Sequence, residues 1–332
     1  MVPSRPPRMI SSITLKNYKS FGEPQTVPLE PITVLVGPNN SGKSSFMSVG
    51  QFLRNAHTED LGAAITVEGG RTQLAHRPVV GDGQVEISWT THSDSPQHLL
   101  IPAKRDRGAP DPMSALTENP FVSSTSVALR VDAMREESPL SPNPSIATDG
   151  SGIAAVVMNW RSSLSPQALR LDDLVSKALP EIQHVLALLS ETPGRARLVV
   201  QQTDGEQFDA RRLSDGVLFF LGLVVHALNA PVDSVLFIED PETGIHPRRI
   251  SQIADLLRAV AAEGRQIVLS THSPTLLDAF RDQPESIVLF RRGLNGTRVK
   301  RLTEVAELMR ALDEHDARPG AMLADGFFNE HF

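Results

Sequence analysis

Residues 31–44 read P-I-T-V-L-V-G-P-N-N-S-G-K-S, a short apolar run that stops at glycine and continues into a loop rich in glycine, asparagine and serine. Its last eight residues, Gly37 to Ser44, match the pattern G-x-x-x-x-G-K-[ST]. The two pattern glycines permit backbone geometry that side chains would block, so successive N–H groups can point inward at phosphate oxygens. The apolar run predicts a buried strand. The spacing F-M-x-x-x-x-F-L after the loop predicts a helix from Lys43 to about Asn55.

A strand, this loop and a helix in that order predict a P-loop NTPase with an α/β fold that binds ATP and Mg²⁺. Lys43 would place a full charge on the outer phosphates, and the Ser44 hydroxyl would ligate the magnesium ion. The alternative is a glycine-rich turn that binds nothing. The predicted nucleotide-binding residues are Gly37, Asn39, Asn40, Ser41, Gly42, Lys43, Ser44 and Ser45.

A second apolar strand ends in acids, in the segment V-L-F-I-E-D-P-E-T-G-I-H-P at residues 235–247. Carboxylates are costly to place at the end of a buried strand unless a positive partner neutralises them. A magnesium-nucleotide complex would be that partner, because phosphate-loop enzymes commonly hold the metal with an acid at such a strand end. A strand that meets a solvated acidic turn is the alternative.

The composition is that of a globular protein. The chain has 332 residues, of which 40% are hydrophobic and 21% are charged, a net charge of −7 and no cysteine. The charge argues against a uniformly basic nucleic-acid-binding surface, and the lack of cysteine excludes disulfides and thiolate metal sites. The most apolar run, from Val217 to Leu228, is too short to span a bilayer and contains His226. These features predict a cytoplasmic protein with no membrane partner.

Three segments are predicted along the chain. Residues 1–103 contain the phosphate loop and alternating patterns typical of an antiparallel β subdomain. Residues 104–197 are rich in proline and serine and carry a helical patch, which indicates a partly helical insertion or lid. Residues 198–332 alternate apolar strands with helices, and this pattern predicts a mainly parallel sheet covered on both faces. No long heptad array occurs, so no coiled-coil arm is expected within the chain.

Two further motifs follow in order, R-L-S-D-G at Arg212–Gly216 and L-S-T-H-S-P at Leu269–Pro274. With N-Y-K-S-F (17–21), L-S-P-N-P-S (140–145), D-G-S-G-I-A-A (149–155) and the acidic segment, the chain resembles the ABC-type ATPase heads of RecF, SMC and OLD proteins. It is most similar to compact predicted AAA-family ATPases that lack the TOPRIM nuclease domain of OLD proteins. The resemblance implies an ABC-ATPase-like head.

The resemblance also implies site roles. Ser214, Asp215 and Gly216 would form a signature segment that caps the γ-phosphate bound by the opposite subunit, and His272 would be the switch histidine. The alternatives are a helix N-cap at Ser214 and a structural histidine. The loop around His246 would contact the other subunit, unless it is only a solvated turn. A site shared in this way requires an ATP-dependent, two-fold symmetric homodimer.

The strand end departs from the family pattern. Many relatives read aspartate then glutamate, whereas this chain reads Glu239 then Asp240. In family register Glu239 takes the magnesium role and Asp240 the general-base role, with Asp240, His272 and Lys43 as the catalytic set. The shorter side chain at the base position predicts slow turnover. Glu242 lies beyond a proline and is expected to be structural.

Two functions from different classes fit these motifs. One is an ATPase whose nucleotide cycle opens and closes a dimer, and the other is an ATP-gated binding module with little hydrolysis. A GTPase is disfavoured because no N-K-x-D segment occurs, and a small-molecule kinase would leave two motifs unexplained. A built-in nuclease is not expected, because only about 60 residues follow Pro274, fewer than an added domain of ordinary size.

The resemblance alone bears on partners. Compact relatives are often encoded with effector proteins in anti-phage systems, which implies a protein effector. DNA contact is a second candidate, with solvated surface charge as its alternative. The basic pairs that could form a DNA-binding patch are Lys104-Arg105, Arg211-Arg212, Arg248-Arg249 and Arg291-Arg292.

Overall fold

In the computed structural model, the run that precedes the phosphate loop forms a strand whose five residues are all buried, Ile32–Val36. The structure describes residues 9–91, 96–103, 112–115, 119–246, 249–315 and 318–328. Full burial of successive side chains is expected for a strand that is covered on both faces of a parallel sheet. This strand is the third of the chain, β3, and the remaining elements are built around it.

Fourteen strands occur within the described ranges, and they form three sheets. The first sheet is antiparallel, with the order β2-β1-β4-β5, and the central sheet has the order β14-β13-β3-β12-β11-β6. In the third sheet β9 pairs with β7, β8 and β10. The strands are β1 Ile10–Lys16, β2 Gln25–Pro28, β3 Ile32–Val36, β4 Val85–Thr91, β5 Gln97–Ile101, β6 Thr125–Val127, β7 Ser138–Pro139, β8 Ile182–Leu189, β9 Arg195–Gln202, β10 Gln207–Asp209, β11 Val235–Glu239, β12 Gln266–Ser270, β13 Ile287–Gly293 and β14 Gly296–Arg301.

Helices connect the parallel strands, as expected for crossover connections. None of the described helices is long and apolar enough to cross a membrane. The helices are α1 Lys43–Thr58, α2 Leu61–Val67, α3 Arg71–Leu74, α4 Val131–Arg135, α5 Ile153–Ser162, α6 Pro166–Ala178, α7 Asp215–Asn229, α8 Ile250–Ala262, α9 Pro274–Asp278, α10 Ala306–His315 and α11 Pro319–Ala324.

The chain divides into two compact units. Unit 1 comprises residues 1–126, 232–239 and 263–332, and unit 2 comprises residues 127–231 and 240–262. These units do not coincide with the three segments predicted from composition, because α7 and α8 cluster with the 127–202 region rather than with the strands between which they lie in sequence. The boundaries at 103/104 and 197/198 therefore stay predictions about domain organisation.

Unit 1 has a continuous apolar core beneath the phosphate loop. One face of α1 buries Phe46, Phe52 and Leu53, and the core extends to Trp89 of the antiparallel sheet. Gly50 lets α1 lie directly on β11, since a Cβ at that position would collide with the Phe237 ring. The helix that begins at the phosphate loop is thus packed against the strand that ends in Glu239.

Unit 2 has its own core. The α7 helix buries ten of its fifteen residues, from Leu218 to Leu228. It packs with α4, α5, α6 and α8, and α5 and α6 also cover strand β8. The predicted partly helical insertion therefore contributes helices to this unit, together with a sheet whose central strand is β9.

Candidate functional site

Three parallel strands bring the predicted motifs of unit 1 to one end of the central sheet. Ser270 of β12 pairs in register with Leu35 of β3 on one side and with Glu239 of β11 on the other. The carboxyl ends of adjacent parallel strands meet at the same edge, where ligands bind in open α/β sheets. The phosphate loop, Glu239 and the segment that carries His272 therefore leave the sheet side by side.

The phosphate loop has backbone geometry that its sequence pattern requires. Gly37 and Gly42 have φ values of 158° and 110°, and Asn40 adopts the left-handed region with φ 63°. A Cβ at Gly37 would collide with the carbonyl oxygen of Phe290, and one at Gly42 with the Thr297 hydroxyl. Neither glycine position has space for a side chain. Asn39 and Asn40 are exposed, at the open side of the loop.

Lys43 folds back over the loop. Its side chain is buried, and Nζ donates to the Gly37 carbonyl oxygen at 2.6 Å and to the Pro38 carbonyl oxygen at 3.1 Å. A buried ammonium requires hydrogen-bond acceptors, and the loop carbonyls supply them here. The cation is thus held within the loop, beside the amide groups that would receive phosphate oxygens.

Ser41 gives an independent indication that the loop accommodates a polar ligand. Its side chain is 1% exposed, and its Oγ has no hydrogen-bond partner in the described part of the chain. The same Oγ lies 3.0 Å from the place of a Cβ on Gly37. A buried hydroxyl without a partner is uncommon, since its desolvation is not offset. The donor set of this loop, hydroxyl, ammonium and amide N–H, fits a phosphate group.

The two acids that end β11 differ in exposure and conformation. Glu239 is exposed and continues the strand, whereas Asp240 is half-buried and has a φ of 42°. The Asp240 carbonyl oxygen accepts from Thr243 N at 2.9 Å and begins a turn, in which Ile245 N donates to Glu242 O at 3.0 Å. Left-handed backbone is tolerated best by Asn and Asp among residues with a side chain. This is a physical reason for a short acid at position 240.

His272 projects from a tightly bonded turn. It is exposed, whereas the preceding Thr271 is buried and donates from its backbone N to Leu35 O at 3.2 Å. The Thr271 hydroxyl accepts from Ser273 N at 3.0 Å, and Ser273 Oγ caps α9 by accepting from Leu276 N. The backbone on both sides of His272 is fixed while its imidazole faces outward.

The predicted site residues Ser44 and Ser45 lie at the start of α1, where Ser44 is exposed and Ser45 is half-buried.

The predicted signature segment opens α7 in unit 2. Ser214 occupies the N-cap position, but its side chain makes no capping hydrogen bond and is exposed. The predicted N-cap position of Ser214 is thus confirmed, without a side-chain capping bond. Arg135 holds the segment from α4, donating to Leu213 O at 3.0 Å and to Asp215 Oδ1 at 2.7 Å. The Ser214 hydroxyl is left outward-facing next to the first amides of α7.

The loop that follows Asp240 packs against the same helix start. Gly244 has a φ of 75°, and a Cβ there would lie 2.7 Å from the Phe219 ring. A Cβ on Gly216 would lie 3.0 Å from the Gly244 carbonyl oxygen. His246 is exposed at the end of this loop, and the following Pro247 lies outside the described residues. The signature segment and the His246 loop thus form one surface of unit 2.

The two units divide the predicted site residues. Unit 1 contains the phosphate loop, Glu239 and His272, and unit 2 contains Asp240, the signature segment and the His246 loop.

Of the predicted basic pairs, Arg211 forms an ion pair with Glu137 and Arg249 forms one with Glu181, while Arg212, Arg291 and Arg292 are exposed. Lys104, Arg105 and Arg248 lie outside the described residues.

Sequence reasoning missed three residues that shape the site. Arg135 precedes the signature segment by almost eighty positions and belongs to no sequence motif. Thr297 lies in the β13–β14 hairpin, which also contains no motif. Ser20 lies inside the N-Y-K-S-F motif, which carried the family resemblance but no assigned role. Only Ser20 had a sequence signal that could have led to it.

Two family models match the chain. One described as "AAA ATPase domain" matches residues 9–71, and one described as "AAA domain, putative AbiEii toxin, Type IV TA system" matches residues 164–278. The chromosome partition protein Smc of Mycobacterium tuberculosis is 34% identical over 86 residues, 24% of this chain and 7% of that protein. The Smc protein of Mycobacterium leprae is 57% identical over 37 residues, 11% of this chain and 3% of its own length. The matches thus span 7% or less of these curated relatives.

Solved SMC heads match over most of their length. The SMC head domain from Thermotoga maritima has a TM-score of 0.51 and 11% identity, covering 88% of this chain and 98% of that chain. The Smc head with an extended coiled coil, bound to the C-terminal domain of ScpA derived from Pyrococcus furiosus, has a TM-score of 0.55 and 12% identity, covering 93% and 99%. These matches confirm the predicted P-loop fold with an ABC-type head.

Proposed function

We propose that this chain, which shares the fold of solved SMC ATPase heads, binds and hydrolyses ATP as an ATP-dependent homodimer. The observation that carries the proposal is the phosphate loop, in which a buried ammonium and a buried, unpartnered hydroxyl converge between two glycines. Such a loop at the carboxyl edge of a parallel sheet is suited to a nucleoside triphosphate.

Each residue of the first unit has a task that its surroundings support. The Lys43 ammonium would exchange the carbonyls of Gly37 and Pro38 for the outer phosphates. Amides of residues 39–45 would hold the remaining phosphate oxygens, helped by the positive end of α1. Ser44 and Glu239 would hold Mg²⁺, which would neutralise the negative charge that develops on the phosphate oxygens.

Hydrolysis needs a base and a group that orients water. Asp240 would accept a proton from the attacking water. The oxygen of that water would bond to the γ-phosphorus as the bond between the γ-phosphorus and the β–γ bridging oxygen breaks, so that ADP leaves. His272 would donate to the γ-phosphate or orient that water, since its imidazole faces outward from a rigid turn. The short Asp240 side chain supports slow turnover.

The second unit supports the dimer. The Ser214 hydroxyl makes no capping bond, and it faces outward beside the N-terminal amides of α7. Arg135 and Gly244 hold this segment and the His246 loop as one surface. We infer that this surface covers the γ-phosphate bound by a second copy, which would bury two nucleotides per head-to-tail dimer.

A second candidate is an ATP-gated binding module with little hydrolysis, and the conformation of Asp240 favours it. A carboxylate whose backbone is held at φ 42° has a restricted reach toward water. In either case the dimer would drive or gate a protein effector, in an anti-phage process or in association with DNA. Pull-down with the Asp240→Asn protein and ATP would identify that effector.

The test combines phosphate release with light scattering. The ATPase account predicts sustained phosphate release and ATP-dependent dimers for the wild-type protein, and loss of both for Lys43→Ala. Dimers without sustained release would establish the gated module instead. Failure of the wild-type protein to bind ATP would refute both accounts.

A further inference from the structure

The N-Y-K-S-F segment forms a turn that lies directly behind the phosphate loop. Asn17 and Lys19 both have left-handed backbone, with φ values of 51° and 48°. The turn is closed by Phe21 N, which donates to Tyr18 O at 2.8 Å, and by Asn17 N, which donates to Gly22 O at 3.0 Å. It thereby delivers Ser20 to the start of β14, where Thr297 lies.

Thr297 joins this turn to the phosphate loop. It is buried, and its backbone N donates to Ser20 O at 2.8 Å. Its Oγ1 lies 2.9 Å from the Ser41 carbonyl oxygen and 2.8 Å from Ser20 Oγ. A hydroxyl has one hydrogen, and a carbonyl oxygen can only accept. Thr297 Oγ1 is the donor in both contacts, so its one hydrogen is shared between the Ser41 carbonyl oxygen and Ser20 Oγ.

The direction of this bond determines where a loop amide points. In a trans peptide the C=O and the following N–H point in opposite directions. Holding the Ser41 carbonyl toward Thr297 therefore directs the Gly42 N–H away from Thr297. This arrangement requires glycine at position 42, because a Cβ there would collide with the Thr297 hydroxyl.

We propose that Thr297 is a positioning residue of the phosphate loop, orienting the Ser41–Gly42 peptide for an incoming phosphate. This inference rests on the proposed ATP-binding function. It adds to that function a residue about 250 positions from the motif, on an element that otherwise only flanks the parallel sheet. A purely structural threonine would affect folding stability without any selective effect on the loop.

The first experiment does not depend on ATP. Hydrogen–deuterium exchange of the nucleotide-free protein is measured over residues 37–44 for the wild type, Thr297→Val and Thr297→Ser. Thr297→Val keeps the branched shape and removes the hydroxyl, so faster exchange of this segment is expected, while Thr297→Ser should exchange like the wild type. Thr33→Val is the matched control, because Thr33 is equally buried and its hydroxyl bonds backbone of Glu30 away from the loop.

The second experiment measures ATP affinity by calorimetry on the same variants. Thr297→Val should weaken ATP binding by roughly fivefold, the effect of one neutral hydrogen bond, and Thr297→Ser should restore it. Ser20→Ala should not weaken binding, because it removes only the second acceptor that shares the Thr297 hydrogen with the Ser41 carbonyl oxygen. The melting temperatures of Thr297→Val and Thr33→Val measure how far the loss of a buried hydroxyl destabilises the protein in each case.

The outcomes separate the two proposals. If Thr297→Val folds and matches the wild type in loop exchange and in ATP affinity, the positioning role is overturned. The same conclusion follows if Thr33→Val changes both quantities equally. Absence of ATP binding in the wild-type protein would refute the proposed function, and faster loop exchange in Thr297→Val would still support the orienting hydrogen bond.

Discussion

Asp240 combines two properties that are seldom required together, a left-handed backbone and the expected work of a general base. Asparagine tolerates this conformation as well as aspartate does, whereas glutamate has no short polar group to bond the local backbone. The reversed Glu-Asp order thus has a conformational reason, because the turn that carries the His246 loop begins at this residue.

Substitutions at Asp240 test the base. Asp240→Asn should retain the turn and ATP affinity, and should lower the rate of phosphate release by about 10² or more, the usual contribution of a general base. Single-turnover phosphate release and equilibrium ATP binding measure the two quantities. Asp240→Glu is the companion variant, in which a lower melting temperature is expected from the strained backbone. Wild-type hydrolysis by Asp240→Asn would exclude Asp240 as the base.

His226 lies in the interior of α7, in the unit that carries the signature segment. Burial lowers its pKa to about 4, against the raising effects of the Ala147 backbone and the Asp149 carboxylate. The folded state therefore holds the imidazole neutral, while the unfolded chain takes up a proton near pH 6.5. Stability is complete above pH 6.5 and decreases as the pH falls from there toward 4.

The free energy of unfolding should decrease by about 2 kcal/mol between pH 7.5 and pH 5 through this one group. Urea denaturation at both pH values measures the difference, with His226→Gln as the variant that removes the titrating side chain. The pKa of Asp149 is lowered, chiefly by the Ser151 backbone N–H, and this carboxylate titrates below the same pH range. An equal pH dependence in His226→Gln would contradict the assignment.

Helix α4 acts on the site through one side chain. Arg135 bonds both the Leu213 carbonyl and the Asp215 carboxylate, on the two sides of Ser214. The guanidinium suits this task, because its planar donors reach two acceptors at fixed geometry. Loss of these bonds should loosen the signature segment and leave the phosphate loop unchanged, since the loop belongs to the other unit.

Arg135→Ala should bind ATP with wild-type affinity, and its ATP-dependent dimerisation should weaken by about tenfold, as expected for loss of a hydrogen bond to a charged group. Analytical ultracentrifugation with and without ATP makes the measurement. Arg195→Ala is the matched control, because Arg195 of β9 also donates to a backbone carbonyl, that of Glu137, and makes no contact with Leu213 or Asp215 among its described hydrogen bonds. Equal dimerisation of Arg135→Ala and the wild type would remove Arg135 from the site.

The elements that carry the motifs could be predicted from local patterns. The helix after the phosphate loop, the acidic strand and the strand before His272 each combine an apolar period with a glycine or polar stop. Strand β8 of the third sheet was not predicted, because it lies in a stretch whose proline and serine content indicated loops, whereas the strand predicted from Leu198 corresponds to β9. Their pairing depends on long-range contacts that no local period reports.

The site residues divide in the same way. Lys43 and Glu239 lie in motifs whose chemistry predicts a role, whereas the role of Ser214 is predicted from the family resemblance alone. Arg135 and Thr297 act by hydrogen bonds to backbone carbonyls of distant residues, and such bonds leave no pattern in the sequence. The φ of Asp240 belongs to this second class, since it depends on the turn that follows the strand.

The assembly of two copies is the central claim, because each unit contains part of the machinery. The phosphate loop of one subunit would be completed by the signature segment of the other. Two variants, each defective in a different part, should therefore complement one another when mixed. Lys43→Ala should remove phosphate binding by the loop and leave the signature segment intact. Ser214→Arg should disable the signature segment and leave the phosphate loop intact.

Phosphate release by an equimolar mixture of Lys43→Ala and Ser214→Arg proteins is the direct measurement. Each variant alone should be inactive. A dimer that joins one copy of each variant contains one complete site of the two, so about a quarter of wild-type activity is expected if the copies pair at random, and about half if only mixed dimers form, provided that the two sites act independently. A mixture as inactive as its separate components, beside an active wild-type protein, would contradict a site shared between subunits.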